Sequence, residues 1–289
     1  MVDKFRNLAR VPAEAQPTIG NLLIGSGMIT AADAVRAARV QDAEGLRFGE
    51  ACVKLGLIAP ADVERALSEQ FGYPCLLSGE SDLGKELVAA YKPFDLEVEA
   101  MRALRTQLLL HWISPERRML AICSPARGDG RSYLAANLAV VFSQLGKATL
   151  LVDADLRQPR QHQIFNLANR TGLSAALAGR AGTECVKPVE QFSELWVLAA
   201  GPVPPNPLEL LSGSEFPILL DQLKQRFDVV LVDTPAASSG ADAQMIAARA
   251  GGALVLAREG RTRFQDLQSL AASVVSGNAV IVGSVNIRS

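Results

Sequence analysis

The sequence predicts a doubly wound α/β domain with a mostly parallel sheet, preceded by a small helical domain. From residue 93 onward, short apolar runs alternate with amphipathic stretches. Such runs are typical of strands buried on both faces of a parallel sheet, and the stretches between them fit crossover helices. Before residue 93, the segments 19–41 and 48–70 share one pattern, which predicts two copies of one helical unit.

Six apolar runs are the predicted strands of the α/β domain. They are rich in β-branched residues and are separated by turn residues or helical patterns. Their ranges are 118–124, 148–154, 195–200, 229–235, 252–258 and 280–286. Helices are predicted between them, for example in SYLAANLAVVFSQLG (132–146) and GADAQMIAARA (240–250).

The repeated unit reads as helix, turn, helix. Each copy opens with an apolar residue and a glycine, carries a second glycine where a helix C-cap is expected, and has an aspartate in the first turn of its second helix. In the two copies these positions are Gly20 and Gly49, Gly27 and Gly56, and Asp33 and Asp62. We therefore predict a tail over 1–17, a helical domain over 18–77, a linker over 78–92 with one short helix, and the α/β domain over 93–289.

The composition fits a folded protein without a membrane span. Of 289 residues, 49% are hydrophobic, which is enough for one large or two modest domains with full cores. The formal charge of −1 gives no reason to expect nucleic-acid binding. No apolar run approaches the roughly 18 residues of a membrane span, and the first residues lack the apolar segment of a secretion signal. The scattered cysteines then indicate reduced, structural thiols in a cytoplasmic protein: Cys52, Cys75, Cys123 and Cys185.

A glycine loop follows the first predicted strand. RMLAICS, SPARGDG and RSYLAANLA read as strand, loop and helix, which is the context of a phosphate loop. Gly128 and Gly130 allow backbone N–H groups to turn toward phosphate oxygens, and the following helix directs its positive end to the same point. The Ser132 hydroxyl is placed to bind Mg²⁺. A Gly-x-Gly alone would be equally consistent with a plain strand-to-helix connection.

Carboxylates at the ends of two other strands strengthen the prediction. LLVDADLR places Asp153 and Asp155 just past one strand, and VLVDTPA places Asp233 at the end of another. Ligands of open parallel sheets bind beyond the carboxyl ends of the strands, so these groups should converge with the glycine loop. A single aspartate at a strand end is more often a helix cap, but three beside a phosphate loop predict metal and phosphoryl chemistry.

These motifs resemble those of the bacterial tyrosine kinases of polysaccharide chain-length control. The second Walker-type motif of that family is matched by DADLR, its Walker B motif by DTPA, and further similar segments are PPNPLELL (204–211) and VGSVN (282–286). The resemblance covers about Pro93 to Asn286 and is greatest to the separate kinases of exopolysaccharide operons, the EpsG type. It implies a P-loop NTPase fold similar to that of partitioning ATPases.

The resemblance also implies a role for each site residue. The nucleotide would be held by Gly128, Asp129, Gly130, Arg131, Ser132 and Tyr133, with Asn286 at the adenine. Mg²⁺ would be held by Ser132, Asp155 and Asp233. Asp153 would orient the acceptor tyrosine or take its proton. Arg157 would either steady the charge of the transferred phosphoryl group or pair with Asp155, and both alternatives stay open.

Two features depart from the family pattern. Arg131 stands where the family has lysine, and its planar fork is longer than a compact ammonium. We therefore expect nucleotide binding but slow transfer, and Arg131→Lys should raise the rate. The family's tyrosine-rich C-terminal tail is missing, which leaves Tyr73, Tyr91 and Tyr133 as internal tyrosines. Tyr91 is the freest of them by its position near the domain junction.

Two surfaces are predicted to bind other molecules. Glu99, Arg102 and Arg105 match the family's E-x2-R-x2-R oligomerisation helix, although charges opposite an apolar stripe also fit a solvated face. The helical repeat is similar to the N-terminal domain of type II secretion and pilus ATPases. That resemblance implies cyclic di-GMP binding by Arg47, Gly49 and Gln70 in one copy and by Gly20 and Gln41 in the other, where Thr18 replaces the arginine. A protein-docking domain without a ligand is an equal alternative.

The sequence thus favours an ATP- and Mg²⁺-dependent protein-tyrosine kinase. We expect it to form homo-oligomers and to act with a membrane-embedded chain-length determinant in exopolysaccharide biosynthesis, recruited to the inner face of the plasma membrane. One alternative is a non-catalytic adaptor of the same system that binds a nucleotide or cyclic di-GMP. Another is a positioning ATPase of the partitioning type, although Ala126 stands where those proteins carry a signature lysine.

Overall fold

A computed structural model describes residues 18–71, 76 and 81–288 of the chain. The chain divides into two compact units, residues 1–77 and 78–289. The predicted tail over 1–17, Tyr73 and Cys75 lie outside the described residues.

The first unit consists of two helix-turn-helix copies. Its helices are α1 (Ile19–Gly25), α2 (Ala31–Glu44), α3 (Phe48–Lys54) and α4 (Pro60–Phe71). Equivalent positions of the two copies supply the core, so the repeat in the sequence is a repeat in the packing. These buried pairs are Leu23 and Cys52, Ile29 and Ile58, and Ala37 and Ala66.

Glycine and aspartate end and begin the helices of the first unit as predicted. Gly27 and Gly56 have φ angles of +74° and +67°, which a side chain rarely tolerates, and each closes the helix before it. Each aspartate accepts a hydrogen bond from the backbone N–H three residues earlier, Asp33 from Thr30 (3.2 Å) and Asp62 from Ala59 (2.9 Å). These contacts cap α2 and α4.

The second unit is built on a seven-stranded sheet. Its strands are β1 (Met119–Cys123), β2 (Thr149–Asp153), β3 (Lys187–Pro188), β4 (Leu195–Leu198), β5 (Val229–Asp233), β6 (Gly252–Arg258) and β7 (Val280–Ile287). The order is β3-β4-β2-β5-β1-β6-β7, and all neighbours are parallel except β3 and β4. All six predicted strands are confirmed. The short edge strand β3 was not predicted, because two residues that include a proline give no periodic signal.

The α-helices of the second unit precede the first strand or connect successive strands. They are α5 (Val88–Tyr91), α6 (Leu96–His111), α7 (Arg131–Ser143), α8 (Gln161–Ile164), α9 (Leu173–Leu177), α10 (Pro207–Ser212), α11 (Glu215–Arg226), α12 (Asp242–Ala250) and α13 (Phe264–Ser276). α7 carries a continuous run of buried residues from Leu134 to Ser143 because it lies between the sheet and the pair α5 and α6. Within the described ranges, no helix is long and apolar enough to cross a membrane.

The end of the predicted linker packs into the second unit. The backbone N–H of Ala89 donates to Asn137 Oδ1 on α7 (2.9 Å). The Tyr91 side chain is buried, and its hydroxyl donates to the Leu83 carbonyl oxygen (2.8 Å). The expectation that Tyr91 is the freest tyrosine is therefore wrong, since its ring is part of the core beside α7.

The charged side of α6 also differs from the prediction. Val98, Met101 and Leu108 form its buried stripe, but Arg105 is buried as well. Its guanidinium donates to the Val141 carbonyl oxygen on α7, so it stabilises a contact inside the subunit. Charge periodicity placed Arg105 on a solvated or subunit-contact face, but the long side chain reaches a backbone acceptor of its own chain.

Candidate nucleotide-binding site

The glycine loop connects β1 to α7 in a tight turn. Gly128 and Gly130 have φ angles of +80° and +98°, conformations that favour glycine. Asp129 is fully buried, and its Oδ2 accepts a hydrogen bond from the Ala126 N–H (2.8 Å). Its carboxylate braces the loop from within, whereas the sequence placed Asp129 among the nucleotide contacts.

A cleft of about 510 Å³ opens beside the loop, beyond the carboxyl ends of the strands. Most of its charged lining is arginine, and Asp155 is its one carboxylate among the described residues. The lining comprises Arg127, Gly128, Gly130, Arg131, Ser132, Tyr133, Asp155, Arg157, Gln158, Arg160, Ser239 and Arg258. A cleft with this excess of positive charge suits a polyphosphate.

Asp153 and Asp233 lie side by side behind the cleft, as a register pair of β2 and β5. Both are fully buried. Asp153 Oδ2 accepts hydrogen bonds from the N–H groups of Arg160 (3.0 Å) and Gln161 (2.9 Å), and its Oδ1 from that of Asp155 (3.3 Å). Burial, followed by the charge of Asp233, raises the pKa of Asp153 well above its ordinary value.

The two carboxylate oxygens of Asp233 differ in their hydrogen bonding. Its Oδ2 accepts a hydrogen bond from the Gln161 side-chain amide (2.7 Å), whereas Oδ1 is buried without a hydrogen-bond partner among the described residues. Burial raises the pKa of Asp233 to about 6, although the Gln161 amide that donates to Oδ2 opposes the rise. An unpartnered buried carboxylate oxygen is costly and fits a position that a cation or its bound water completes.

Arg131 turns its guanidinium into the loop. Its Nε donates to the Thr234 carbonyl oxygen (2.8 Å), and its Nη1 donates to the Ala126 carbonyl oxygen (2.7 Å) and to Ser124 Oγ. The side chain is 7% exposed. The residue that stands in place of the family's lysine therefore ties the loop to the segment that follows β5.

Arg157 forms an ion pair that the sequence did not predict. Its Nε and Nη2 donate to the two carboxylate oxygens of the buried Asp242, each at 3.1 Å. Among the described residues, the Asp155 carboxylate accepts hydrogen bonds from backbone groups alone: its Oδ1 accepts from the N–H groups of Arg157 (3.2 Å) and Gln158 (2.8 Å). Of the two alternatives left open for Arg157, the pairing with Asp155 is therefore wrong, because the guanidinium pairs with the buried carboxylate of Asp242 on α12.

Two predicted nucleotide contacts point elsewhere. The Tyr133 hydroxyl donates to Glu97 Oε1 on α6 (2.7 Å), and burial together with this carboxylate raises the pKa of Tyr133 above its ordinary value. Asn286 is exposed on β7, and its neighbour Ile287 is the residue whose side chain faces Gly130. Tyr133 still borders the cleft, whereas Asn286 is not among its lining residues.

Three residues that the sequence analysis omitted organise the site. Gln161 links Asp233 to the Ser132 carbonyl oxygen (3.1 Å), and no motif signalled it. Arg258 and Arg261 both bond to the glycine loop: Arg258 donates to the Gly128 carbonyl oxygen (2.8 Å) and Arg261 to the Arg127 carbonyl oxygen (2.9 Å). Since Arg258 is the last residue of β6, the rule that ligands bind at strand ends could have pointed to it.

In the first unit, packing accounts for the glycines of the repeat. A Cβ on Gly49 would lie 2.5 Å from Val63 Cγ1, so α3 and α4 touch closely there, and a Cβ on Gly20 would lie 3.5 Å from the Phe48 ring. Arg47 is exposed before α3, and Gln41 and Gln70 are half-buried. Cyclic di-GMP binding by this unit stays a prediction.

Comparison with known proteins identifies the family. The tyrosine-protein kinase YwqD of Bacillus subtilis is 33% identical over 205 residues, which are 71% of this chain and 86% of YwqD. The chain belongs to the family of bacterial tyrosine-protein kinases. It spans only about a quarter of the longer relatives, 25% and 26% of two of them. No protein-family model matches it.

Solved structures agree with this assignment. The kinase domain of the Escherichia coli tyrosine kinase ETK superposes with a TM-score of 0.68 at 30% identity, covering 72% of this chain and 82% of that one. The cell division ATPase MinD of Pyrococcus furiosus superposes with a TM-score of 0.52 at 26% identity, covering 59% and 71%. The predicted P-loop NTPase fold is thus confirmed.

Proposed function

We propose that this chain is an ATP-dependent protein-tyrosine kinase. The observation that carries the proposal is the meeting of the glycine loop and Asp155 at one arginine-lined cleft, with the unpartnered Oδ1 of Asp233 buried behind it. Kinases of this kind need little covalent chemistry from the protein, because positioning and charge stabilisation lower the barrier. The membership of the chain in the kinase family supports this interpretation of the cleft.

The donor groups of the cleft suit Mg-ATP. Backbone N–H groups of the glycine loop and the start of α7 would hold the phosphates. Ser132, Asp155 and Asp233 would hold Mg²⁺, a hard cation that prefers oxygen ligands and retains water. When bound, the ion neutralises charge on the phosphates. This set contains only two carboxylates, and the described residues hold no group of three or more His, Cys, Asp or Glu side chains that could bind a metal ion.

Asp153 remains our candidate for the proton acceptor. Burial and Asp233 raise its pKa, which makes it a stronger base than an ordinary aspartate. Its oxygens face backbone donors and it does not line the cleft, so it has to exchange one of those bonds for the acceptor hydroxyl. Asp153→Asn is expected to lower kcat strongly and to leave the Kd for Mg-ATP nearly unchanged.

The acceptor tyrosine is proposed to lie on another chain. Of the two tyrosines that the structure describes, Tyr91 is buried with its hydroxyl bonded to a carbonyl oxygen, and the Tyr133 hydroxyl is held by Glu97. We propose a membrane-embedded polysaccharide chain-length determinant as partner, which would recruit the kinase to the inner face of the plasma membrane. A homo-oligomer would use Glu99 and Arg102, which pair with each other on α6 (3.3 Å), without the buried Arg105.

The test begins with calorimetric titration of the whole chain with Mg-ATP. Asp233→Ala should weaken binding at least about tenfold, because the cation loses its carboxylate. Asp221→Ala is the matched control, since Asp221 is exposed on α11 and its one ion pair among the described residues is with Lys224 on the same helix. A phosphotyrosine assay with the membrane partner follows. Absence of phosphotyrosine with bound ATP would contradict the kinase proposal.

One observation favours a non-catalytic adaptor as the second candidate. The Arg131 guanidinium is engaged by three protein acceptors, so the charge that replaces the lysine is not directed at a phosphate. An adaptor would bind Mg-ATP, or cyclic di-GMP at the first unit, and form no phosphotyrosine. The positioning ATPase is disfavoured because Ala126 stands where those proteins carry a signature lysine.

A further inference from the structure

Arg131 is poorly placed to neutralise a phosphate. Its three hydrogen bonds, two within the loop and one to the segment after β5, use Nε and Nη1, and the side chain is 7% exposed. Turning the guanidinium outward would break these bonds and leave the buried Thr234 carbonyl oxygen without this donor. A phosphate site beside this loop therefore needs its mobile positive charge from another residue.

The arginines of the cleft differ in their partners. Arg157 is paired with Asp242 and Arg160 with Glu86, so their charges are already neutralised. Arg258 forms no ion pair with a carboxylate among the described residues. Its one side-chain hydrogen bond within them is from Nη1 to the Gly128 carbonyl oxygen, at 2.8 Å. Arg127 of the loop and Arg258 at the end of β6 therefore line the cleft without a carboxylate partner among the described residues.

The backbone of Arg258 is fixed although its guanidinium is lightly held. β6 lies beside β1 in the sheet, which brings its carboxyl end next to the glycine loop. The Arg258 N–H donates to Thr262 Oγ1 (2.8 Å), and that hydroxyl donates to Asp129 Oδ1 inside the loop (3.3 Å). A cation on an anchored backbone loses less conformational entropy on binding than one on the exposed loop tip, such as Arg127.

We propose that Arg258 is the phosphate-binding cation that replaces the missing lysine. This inference rests on the proposed function, because it requires a nucleotide polyphosphate in the cleft. The guanidinium exchanges the Gly128 carbonyl oxygen for oxygens of the terminal phosphates, where a charge-assisted bond is stronger. Arg131 keeps its place as a strut between the loop and β5, and the two arginines divide the tasks that one lysine performs.

The experiment compares four variants of the full chain by calorimetry with Mg-ATP and Mg-ADP. Arg258→Gln should raise the Kd for Mg-ATP about ten- to a hundredfold, and that for Mg-ADP less, since the terminal phosphate is lost. Arg258→Lys keeps the charge and should stay within about threefold of the unaltered chain. Arg263→Gln is the matched control: it removes the same charge from an exposed position just before α13. Arg261→Gln tests whether clamping the loop from outside is sufficient.

The possible results separate the two levels of the proposal. If the unaltered chain binds no Mg-ATP, both the proposed function and the role of Arg258 are overturned. If the unaltered chain and Arg258→Gln bind Mg-ATP equally well, only the proposed role of Arg258 is overturned. Equal weakening by Arg258→Gln and Arg261→Gln for both nucleotides would assign the effect to the loop clamp and also overturn it. An unchanged melting temperature of the nucleotide-free Arg258→Gln chain confirms that lost affinity is not lost folding.

Discussion

Replacing Arg131 by lysine is expected to produce a less stable but faster enzyme. The guanidinium spans two sides of the loop: Nε reaches the Thr234 carbonyl oxygen, and Nη1 reaches the Ala126 carbonyl oxygen and Ser124 Oγ. A lysine has one nitrogen and cannot reach both sides at once. The Thr234 side is fully buried, so the lost donor there is not replaced freely by water.

The size of the loss follows from these bonds. Hydrogen bonds from a charged donor contribute roughly 1.5–3 kcal/mol each. Because water in the cleft replaces part of the bonding on the Ala126 side, the lower figure applies, and two lost bonds give about 3 kcal/mol. For a domain of roughly 150–250 residues, each kcal/mol lowers the melting temperature by about 2–4 °C, so a drop of about 6–12 °C is expected.

Scanning calorimetry of the nucleotide-free chain measures the first effect, and initial rates of phosphotyrosine formation at saturating Mg-ATP measure the second. The transition of the second unit is followed, since two compact units need not unfold together. Arg263→Lys is the control for the same exchange at an exposed site. A melting temperature within about 2 °C of the unaltered chain would refute the strut role of Arg131. An unchanged or lower rate would refute the link between the arginine and slow transfer.

Three further predictions concern the pH response, the helical unit and the tyrosine at the cleft. The folded-state pKa of Asp233, about 6, lies above the ordinary 3.8. The Asp233 carboxyl therefore stabilises the nucleotide-free chain fully below about pH 3.8, and this stabilisation is lost as the pH rises through about 6. The proton that Asp233 holds below its pKa also competes with Mg²⁺. The Kd for Mg-ATP should rise about tenfold from pH 7.5 to pH 5, and this rise should be clearly smaller in Asp233→Asn, where only the raised pKa of Asp153 remains. Gly49→Ala should destabilise the first unit by about 1–3 kcal/mol, because its Cβ would lie 2.5 Å from Val63 Cγ1. Gly20→Ala is the control, since its Cβ would meet only ordinary van der Waals contacts. Urea unfolding followed by circular dichroism measures both variants. Tyr133→Phe should keep the full rate of acceptor phosphorylation in a radiolabel assay, and a loss of all labelled product would make Tyr133 the acceptor.

The sequence predicted the sheet well because a buried parallel strand is a local signal. VVLVD (229–233) is apolar up to its last residue, and the same residue marks both the strand end and the site. The glycine loop was equally legible, since Gly128 and Gly130 need positive φ angles that few other residues adopt. Local periodicity and turn chemistry therefore sufficed for the fold and for the position of the cleft.

Side-chain partners were less predictable because they depend on elements distant in sequence. Arg157 meets Asp242, which lies 85 residues later, and the hydrophobic pattern gives no sign of that pairing. Arg105 has the spacing of a surface charge but bonds to Val141 on the neighbouring helix. Gln161 orders Asp233 without belonging to any motif. Each contact is set by how the helices pack on the sheet, and that packing cannot be predicted from one segment of the sequence.

The position of Arg131 explains why an arginine can occupy this loop without destroying it. The Thr234 carbonyl oxygen that accepts its Nε directly follows Asp233, so the guanidinium couples the glycine loop to the proposed cation ligand. A lysine in the same place would supply a charge to the phosphates but would leave the two segments joined by fewer bonds. An arginine in place of the lysine therefore removes a mobile charge from the phosphate site and makes the connection between the phosphate loop and Asp233 more rigid. Affinity for the nucleotide then depends on a cation at the edge of the cleft, and Arg258 is the residue whose backbone is anchored and whose charge no carboxylate of the described chain neutralises.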